Sequence, residues 1–230
     1  MTDTEHPRAI RSFVTRAGRI TEAQTRALEL LWPKYGVEFN ASAAVLDLDA
    51  LFGRTAPRTV EIGFGNGENL VKMAVAHPER DFLGIEVHRP GIGRVLLALE
   101  EHRLINVRVI CHDAVEVLAQ QLPQQCLDEV MILFPDPWPK KRHHKRRLVQ
   151  SAFVELVTER LRPGGVVRMA TDWQPYAEEM LGVLSANPRL HNLAADGAYI
   201  PRPTERSATR FEKRGQRLGH DVWDLAFRRI

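Results

Sequence analysis

From residue 58 onward, short apolar runs alternate with amphipathic stretches. The runs at 59–63, 82–87, 107–111, 127–134, 166–170 and 222–227 are rich in Val, Ile, Leu and Phe, the composition of buried strands. Between them apolar residues recur at helical spacing, over about 67–76, 114–121 and 175–185 and in two clearer cases. Ile92, Val95, Leu96 and Leu99 share one side of 91–103, and Leu148, Ala152, Phe153, Leu156 and Leu161 share one side of a longer helix. Pro163-Gly164-Gly165 predicts the turn into the fifth strand. Strands separated by helices of this length imply an α/β fold, a mainly parallel sheet covered on both faces. Such a doubly wound sheet binds its ligand beyond the carboxyl ends of its strands.

Residues 1–40 read as an N-terminal arm and helix, set apart from a single domain over 41–230. A polar start and the cations Arg11, Arg16 and Arg19 precede Thr21, a candidate N-cap. Ala23, Ala27, Leu28, Leu30 and Leu31 follow, and Trp32-Pro33 ends the run.

At 44% hydrophobic and 27% charged residues, disorder throughout is excluded. Cys111 and Cys126 form no C-x-x-C, which excludes a disulfide framework and a zinc ribbon. No repeat of solenoid length occurs. The longest apolar stretches, such as 130–134, fall far short of a bilayer span, and residues 1–13 lack the apolar core of a secretory signal. A cytoplasmic protein with no membrane association and no obligate protein partner is expected.

Charge is unevenly spread. Of the 32 Lys+Arg that leave a net charge of +3, six fall with no acid in Lys140-Lys141-Arg142-His143-His144-Lys145-Arg146-Arg147, so the remainder carries −3. A local cationic patch on a mildly acidic body suits a polyanion, above all nucleic acid, although a solvated helix start or a localisation signal has the same composition. A second stretch, 202–217, sets Arg202, Arg206, Arg210, Lys213, Arg214 and Arg217 against Glu205 and Glu212.

The first strand ends in Glu61-Ile62-Gly63-Phe64-Gly65-Asn66-Gly67. Glycines after a buried strand admit a ligand close to the backbone, and the next helix offers free N–H groups. The spacing is G-x-G-x-G, not the dinucleotide G-x-G-x-x-G. An acid two residues before the first glycine suits a ligand with a cationic amino-acid part and no pyrophosphate, S-adenosylmethionine. Glu86 closes the second strand about 20 residues after the glycines, where an acid accepts hydrogen bonds from ribose hydroxyls and repels a 2′-phosphate. Asp113 follows the third strand; as part of D-x-x-E it is equally a helix N-cap or a partner for an adenine amino group.

The fourth strand runs into Phe134-Pro135-Asp136-Pro137-Trp138-Pro139 and then the basic run. Three prolines stiffen a turn that delivers a carboxylate, an indole and the cations to one edge of the sheet. These motifs together resemble the bacterial tRNA (guanine-N7-)-methyltransferase family, over about residues 11 to 230. Arg11-Ser12-Phe13-Val14, Gly18-Arg19, Ala170-Thr171-Asp172-Trp173 and Thr209-Arg210-Phe211-Glu212 carry the resemblance further. It implies a Rossmann-like class I fold with a seven-stranded sheet. It also implies methyl transfer from S-adenosyl-L-methionine to N7 of a variable-loop guanine in tRNA, without a metal. Cofactor contacts are implied for Glu61, Glu86, Asp113 and Asp136, beside the loop glycines Gly63 and Gly65, with Asp136 also catalytic. Substrate contacts are implied for Lys140, Asp172, Thr209, Arg210, Phe211 and Glu212. Arg142, His143, His144, Lys145, Arg146 and Arg147 are implied to meet the RNA.

The chemistry agrees. Guanine N7 carries an in-plane lone pair, so no proton must leave before attack and no strong general base is needed. A carboxylate at Asp136 would stabilise the charge that develops on the purine. Asp172 and Glu212 are candidates to accept from guanine N1–H and its 2-amino group. Each has a plainer reading: Asp172 as a helix N-cap, Glu212 as a partner of Arg210 or Arg214. Phe211 is either a stacking platform or a core residue. D-P-W also resembles the D-P-P-aromatic motif of exocyclic-amine methyltransferases, but that chemistry has no use for the basic run. A non-catalytic RNA-binding protein would lack any need for the acids and glycines.

Overall fold

The computed structural model describes residues 11–13, 18–42, 44–206, 212 and 221–230. Eight strands form one sheet in the order β1-β4-β3-β2-β5-β6-β8-β7. They are β1 (Gly36–Val37), β2 (Arg58–Ile62), β3 (Asp81–Ile85), β4 (Val107–Ile110), β5 (Leu127–Leu133), β6 (Leu161–Thr171), β7 (Leu190–Asn192) and β8 (Trp223–Arg229). Every pairing is parallel except those of β8 with β6 and β7. The expected count was seven. The apolar runs marked six; the two strands they did not mark, Gly36–Val37 and Leu190–Asn192, are too short to show such a run, and edge pairing with β4 and β8 defines them.

Helices cover both faces, because the strands are apolar on both. Val130 and Ile132 of β5 face a core built with α3 (Leu48–Phe52), α6 (Ala114–Gln120), α7 (Ser151–Arg160) and α8 (Gln174–Ser185). Met131 faces the opposite core, built with α1 (Glu22–Leu30), α2 (Trp32–Tyr35), α4 (Glu68–Ala76) and α5 (Arg89–Glu101). Ile92, Val95, Leu96 and Leu99 are fully buried, each worth about 1.5–3 kcal/mol of apolar burial. No helix among the described residues is long and apolar enough to cross a membrane.

Two sequence-based expectations change. The Pro163-Gly164-Gly165 turn lies inside β6 as an irregularity, where the register with β5 jumps from Leu127↔Leu161 to Glu129↔Val166 and Gly164 takes φ 84°. Residues 22–37 are not outside the core domain. Thr21 and Gln24 form a capping box, Ala27 and Tyr35 are buried against α5, and Gln24 Nε2 donates to Pro90 O at 3.1 Å. Tyr35 OH donates to Glu100 at 2.8 Å, and the chain then enters the sheet as β1. The apolar side of α1 finds its burial on α5, which draws the whole segment into the body.

The chain order reverses direction at β2 and β5. Successive strands β2, β3 and β4 step one way and β5 and β6 the other, so the switch-point crevice opens between the carboxyl ends of β2 and β5.

Candidate active site

Ile62 of β2 pairs with Ile132 of β5, so the glycine loop and the proline loop leave the same rim from neighbouring strands. Adjacent strands lie about 4.8 Å apart. The two motifs are thus brought together by register alone.

On the β2 side, Gly63 and Gly65 have φ of 70° and 58°, and a Cβ at either would meet nothing within 4 Å. The loop is therefore open in front. Behind, it is pressed on α5, since a Cβ on Gly91 would lie 2.2 Å from Gly65 O. The Glu86 carboxylate is fixed at this loop by three main-chain donors: Gly65 N at 2.8 Å, Val87 N at 2.7 Å and His88 N at 2.9 Å. A carboxylate has about four acceptor positions, so capacity remains for a ligand hydroxyl. Glu61 is only 2% exposed and accepts from Asn69 Nδ2 at 3.0 Å. Burial pushes its carboxyl up to about 7, partly opposed by the Asn69 bond and reinforced by the charge of Glu86. A nearby cation would restore its ionised form. Asp113 caps α6, with one oxygen accepting from Val115 N at 3.0 Å.

On the β5 side the turn is strained. Phe134 and Trp138 take φ of 54° and 43°, which costs about 1–3 kcal/mol each for residues with a Cβ. Phe134 N donates to Ala170 O at 2.7 Å. The Trp138 indole N–H donates to Ser12 O at 3.1 Å, and Arg146 lies 4.6 Å above its ring with His143 at its edge. Asp136 is exposed on this turn. The basic run forms a 3-10 helix over Lys141–Arg146. Lys140, Lys141, Arg142 and Lys145 are exposed, while His143 and His144 are half-buried. Slight burial and the surrounding cations, Arg142 first, hold His143 below its ordinary value.

Arg147, expected on the RNA, departs from that reading. It is 3% exposed and its guanidinium is spent inside the protein, on Pro137 O at 2.9 Å, on Glu179 of α8 and over the Tyr176 ring. Five cations of the run remain for a polyanion. Asp172 follows β6, whose Ala170 pairs with Leu133, so it leaves the rim next to the proline loop. It is not the helix cap: that place is held by Trp173, without a side-chain hydrogen bond.

Glu212 also departs from expectation. Its carboxylate is fully buried and bound by Arg206 Nη1 at 2.6 Å and by Arg202 Nε at 2.7 Å; Arg210 and Arg214, the partners weighed from the sequence, lie outside the described residues. In this arrangement it does not face a base. Arg206 also pairs with Asp224 at 2.9 Å and lies over the Phe134 ring at 5.5 Å. Burial raises the Asp224 carboxyl despite Arg206 beside it. Thr209, Arg210 and Phe211 lie outside the described residues.

A family model described as "Putative methyltransferase" matches residues 55–225. A tRNA (guanine-N(7)-)-methyltransferase of Stutzerimonas stutzeri is 57% identical over 97% of this chain and 93% of its own length. Another, from Leifsonia xyli subsp. xyli, is 58% identical over 95% of each chain. The chain belongs to the tRNA (guanine-N7-)-methyltransferase family. Among solved structures, the aminoglycoside resistance methyltransferase NpmB1 superposes with a TM-score of 0.56 at 15% identity, over 82% of this chain and 95% of that one, a likeness of fold. The fold is the Rossmann-like methyltransferase fold, and the methyl donor of this tRNA (guanine-N7-)-methyltransferase family member is S-adenosyl-L-methionine.

Sequence reasoning missed Arg206, Asp224, Glu179 and Tyr176 in this family member. Each is a side chain whose role depends on a partner distant in the chain. A faint signal existed for Arg206 and Arg147 alone, as cations within the two basic stretches.

Proposed function

We propose that the protein transfers a methyl group from S-adenosyl-L-methionine to N7 of a variable-loop guanine in tRNA, acting in the cytoplasm. The observation that carries this reading is the register of β2 with β5, which opens the glycine loop and the Asp136 turn onto one crevice.

The donor site fits its ligand. Gly63 and Gly65 leave open space against the backbone, and Glu86 has acceptor capacity for a ribose diol. Glu61, buried and half-protonated near neutral pH, gains from the cationic methionine end. Asp113 lies at the next strand end, where the adenine would sit. When bound, S-adenosylmethionine supplies an electrophilic methyl on a sulfonium.

Asp136 is the catalytic residue in this reading. The N7 lone pair forms the new N–C bond as the S–C pair returns to sulfur, so positive charge passes to the purine. A fixed carboxylate stabilises that charge and aligns the base, and no proton has to be removed. The strained turn at Phe134 and Trp138 supports a positioning role. Asp172 accepts from the Watson–Crick edge of guanine. Lys140, with Thr209, Arg210 and Phe211, completes the substrate contacts. Glu212 joins them only if Arg202 and Arg206 release it. Lys140, Lys141, Arg142, Lys145 and Arg146 meet phosphates, with His143 and His144 lining the same surface.

Labelled S-adenosylmethionine and unmodified tRNA test the reading. Label is expected in 7-methylguanosine after nucleoside analysis. Label confined to methyladenosine or methylcytidine would overturn it.

A further inference from the structure

We infer that Arg147 and Glu179 form a positioning clamp that sets the Asp136 turn against the N-terminal end of α8. The inference rests on the function proposed above and concerns residues to which that function gave no such part.

Arg147 reaches back ten residues to donate Nε to Pro137 O at 2.9 Å, so the last cation of the basic run grips the carbonyl next to Asp136. The same guanidinium pairs with Glu179 and lies 4.8 Å from the centre of the Tyr176 ring, both on α8. Tyr176 OH in turn accepts from Val149 N at 3.1 Å, which holds the chain just beyond the basic run. Tyr176 N donates to Trp173 O, at the helix end that follows Asp172. One planar cation therefore ties together the turn that carries Asp136, the end of the RNA-facing run and the helix that begins after Asp172.

Stability alone explains this poorly. Burying an arginine costs desolvation, and among the described residues its Nη2 is buried without a hydrogen-bond partner. Glu179 is 34% exposed and would simply rehydrate if the arginine were lost. An apolar side chain of similar length would fill the space without the desolvation cost. What it would lack is a fork that meets a carbonyl and a carboxylate at a fixed angle. Lysine lacks the fork as well, although it keeps the charge.

The test compares wild type with Arg147→Lys, Arg147→Met and Glu179→Gln. It reads kcat and KM for tRNA methylation, the salt dependence of tRNA binding, heat of S-adenosylmethionine binding and Tm. The clamp predicts that all three variants lose kcat on the order of 10- to 100-fold, the cost of a small misplacement. The salt slope, cofactor binding and Tm should stay near wild type. The double variant Arg147→Lys with Glu179→Gln should be no slower than the slower single, since both changes break one unit. If Arg147 contacts phosphate, Arg147→Lys keeps full kcat and Arg147→Met loses about 0.9 from the salt slope; that overturns the clamp. If Glu179 is only a surface acid, Glu179→Gln tightens tRNA binding with kcat intact, which overturns it too. Parallel loss of Tm and cofactor binding in Glu179→Gln would assign a merely structural role. Should the arginine variants fail to fold, Glu179→Gln decides. A wild type that transfers no label to guanine N7 rejects the proposed function instead, whatever the variants do.

Discussion

Around Glu86 the chain holds its functional groups with main-chain donors, three of them on one carboxylate. Around 134–147 it relies on contacts that side chains make with distant segments: Arg206 over Phe134, the Trp138 indole on the Ser12 carbonyl and Arg147 between Pro137 and α8. Main-chain donors are supplied by any sequence that makes the loop, so the donor side tolerates exchange of neighbouring side chains. On the acceptor side Arg206 is a buried cation shared by the buried carboxylates of Glu212 and Asp224, so its removal weakens both at once. The same rim is therefore robust on one half and brittle on the other.

The largest expected effect tests that brittleness. Arg206→Met removes the cation that the buried carboxylates of Glu212 and Asp224 share, a loss of about 3–5 kcal/mol. Thermal unfolding should report it as a fall in Tm of roughly 10 °C for a chain of this size. The donor-side counterpart, Glu86→Gln, keeps an acceptor among the same N–H groups and costs about 1 kcal/mol. Equal losses from the two would erase the contrast.

The contrast also explains what the sequence could tell. The alternation from residue 58, the strand-end acids Glu61 and Glu86 and the proline turn all lie within one local pattern, and the sheet brings them to one rim. Asp113 as a cap was equally local. Arg147 looked like its neighbours in the basic run because nothing nearby names Glu179, 32 residues on, as its partner. For Glu212 the sequence pointed to its near neighbours Arg210 and Arg214, whereas Arg206 and Arg202, farther back along the chain, reach its carboxylate through burial that no local pattern announces. Strands as short as β1 and β7 carry no periodicity at all, and their pairing is a tertiary event.

Function separates the halves next. Asp136→Ala should lower kcat by on the order of 10²–10³ while tRNA affinity stays near wild type, because the carboxylate acts on charge that appears only in the transition state. Glu86→Ala should instead raise the KM for S-adenosylmethionine by roughly 10-fold or more, the loss of a charged hydrogen bond. Steady-state kinetics with each substrate varied in turn distinguish the two. Comparable losses of kcat and tRNA binding in Asp136→Ala would make it a binding residue.

The donor half carries a pH effect of its own. Glu61 has a carboxyl at about 7 in the folded chain against an ordinary 4.5, so the folded state holds an extra proton between those limits. Its contribution to stability is complete below pH 4.5 and is lost as pH rises through 7, at most about 3 kcal/mol. Ligand-free Tm should thus decline over that window, and Glu61→Gln should flatten the decline. S-adenosylmethionine affinity should run the opposite way and rise with pH through about 7, since the cationic end prefers the ionised acid. A flat profile for both in wild type would remove Glu61 from the donor site.

The smallest effect probes the exposed cations, the one part of the acceptor half that resembles the donor half in having no buried partner to strand. Lys145 is exposed on the 3-10 helix. Lys145→Ala should weaken tRNA binding a few-fold at moderate salt and reduce the slope of log K against log[salt] by about 0.9 or less. Neither Tm nor kcat at saturating tRNA should change, because an exposed cation orders nothing inside the protein. With the four exposed cations and Arg146 in contact, the wild-type slope should be about −4. If Lys145→Ala lowered kcat as Arg147→Lys is expected to, the division between a landing surface and an internal clamp within one eight-residue run would fail.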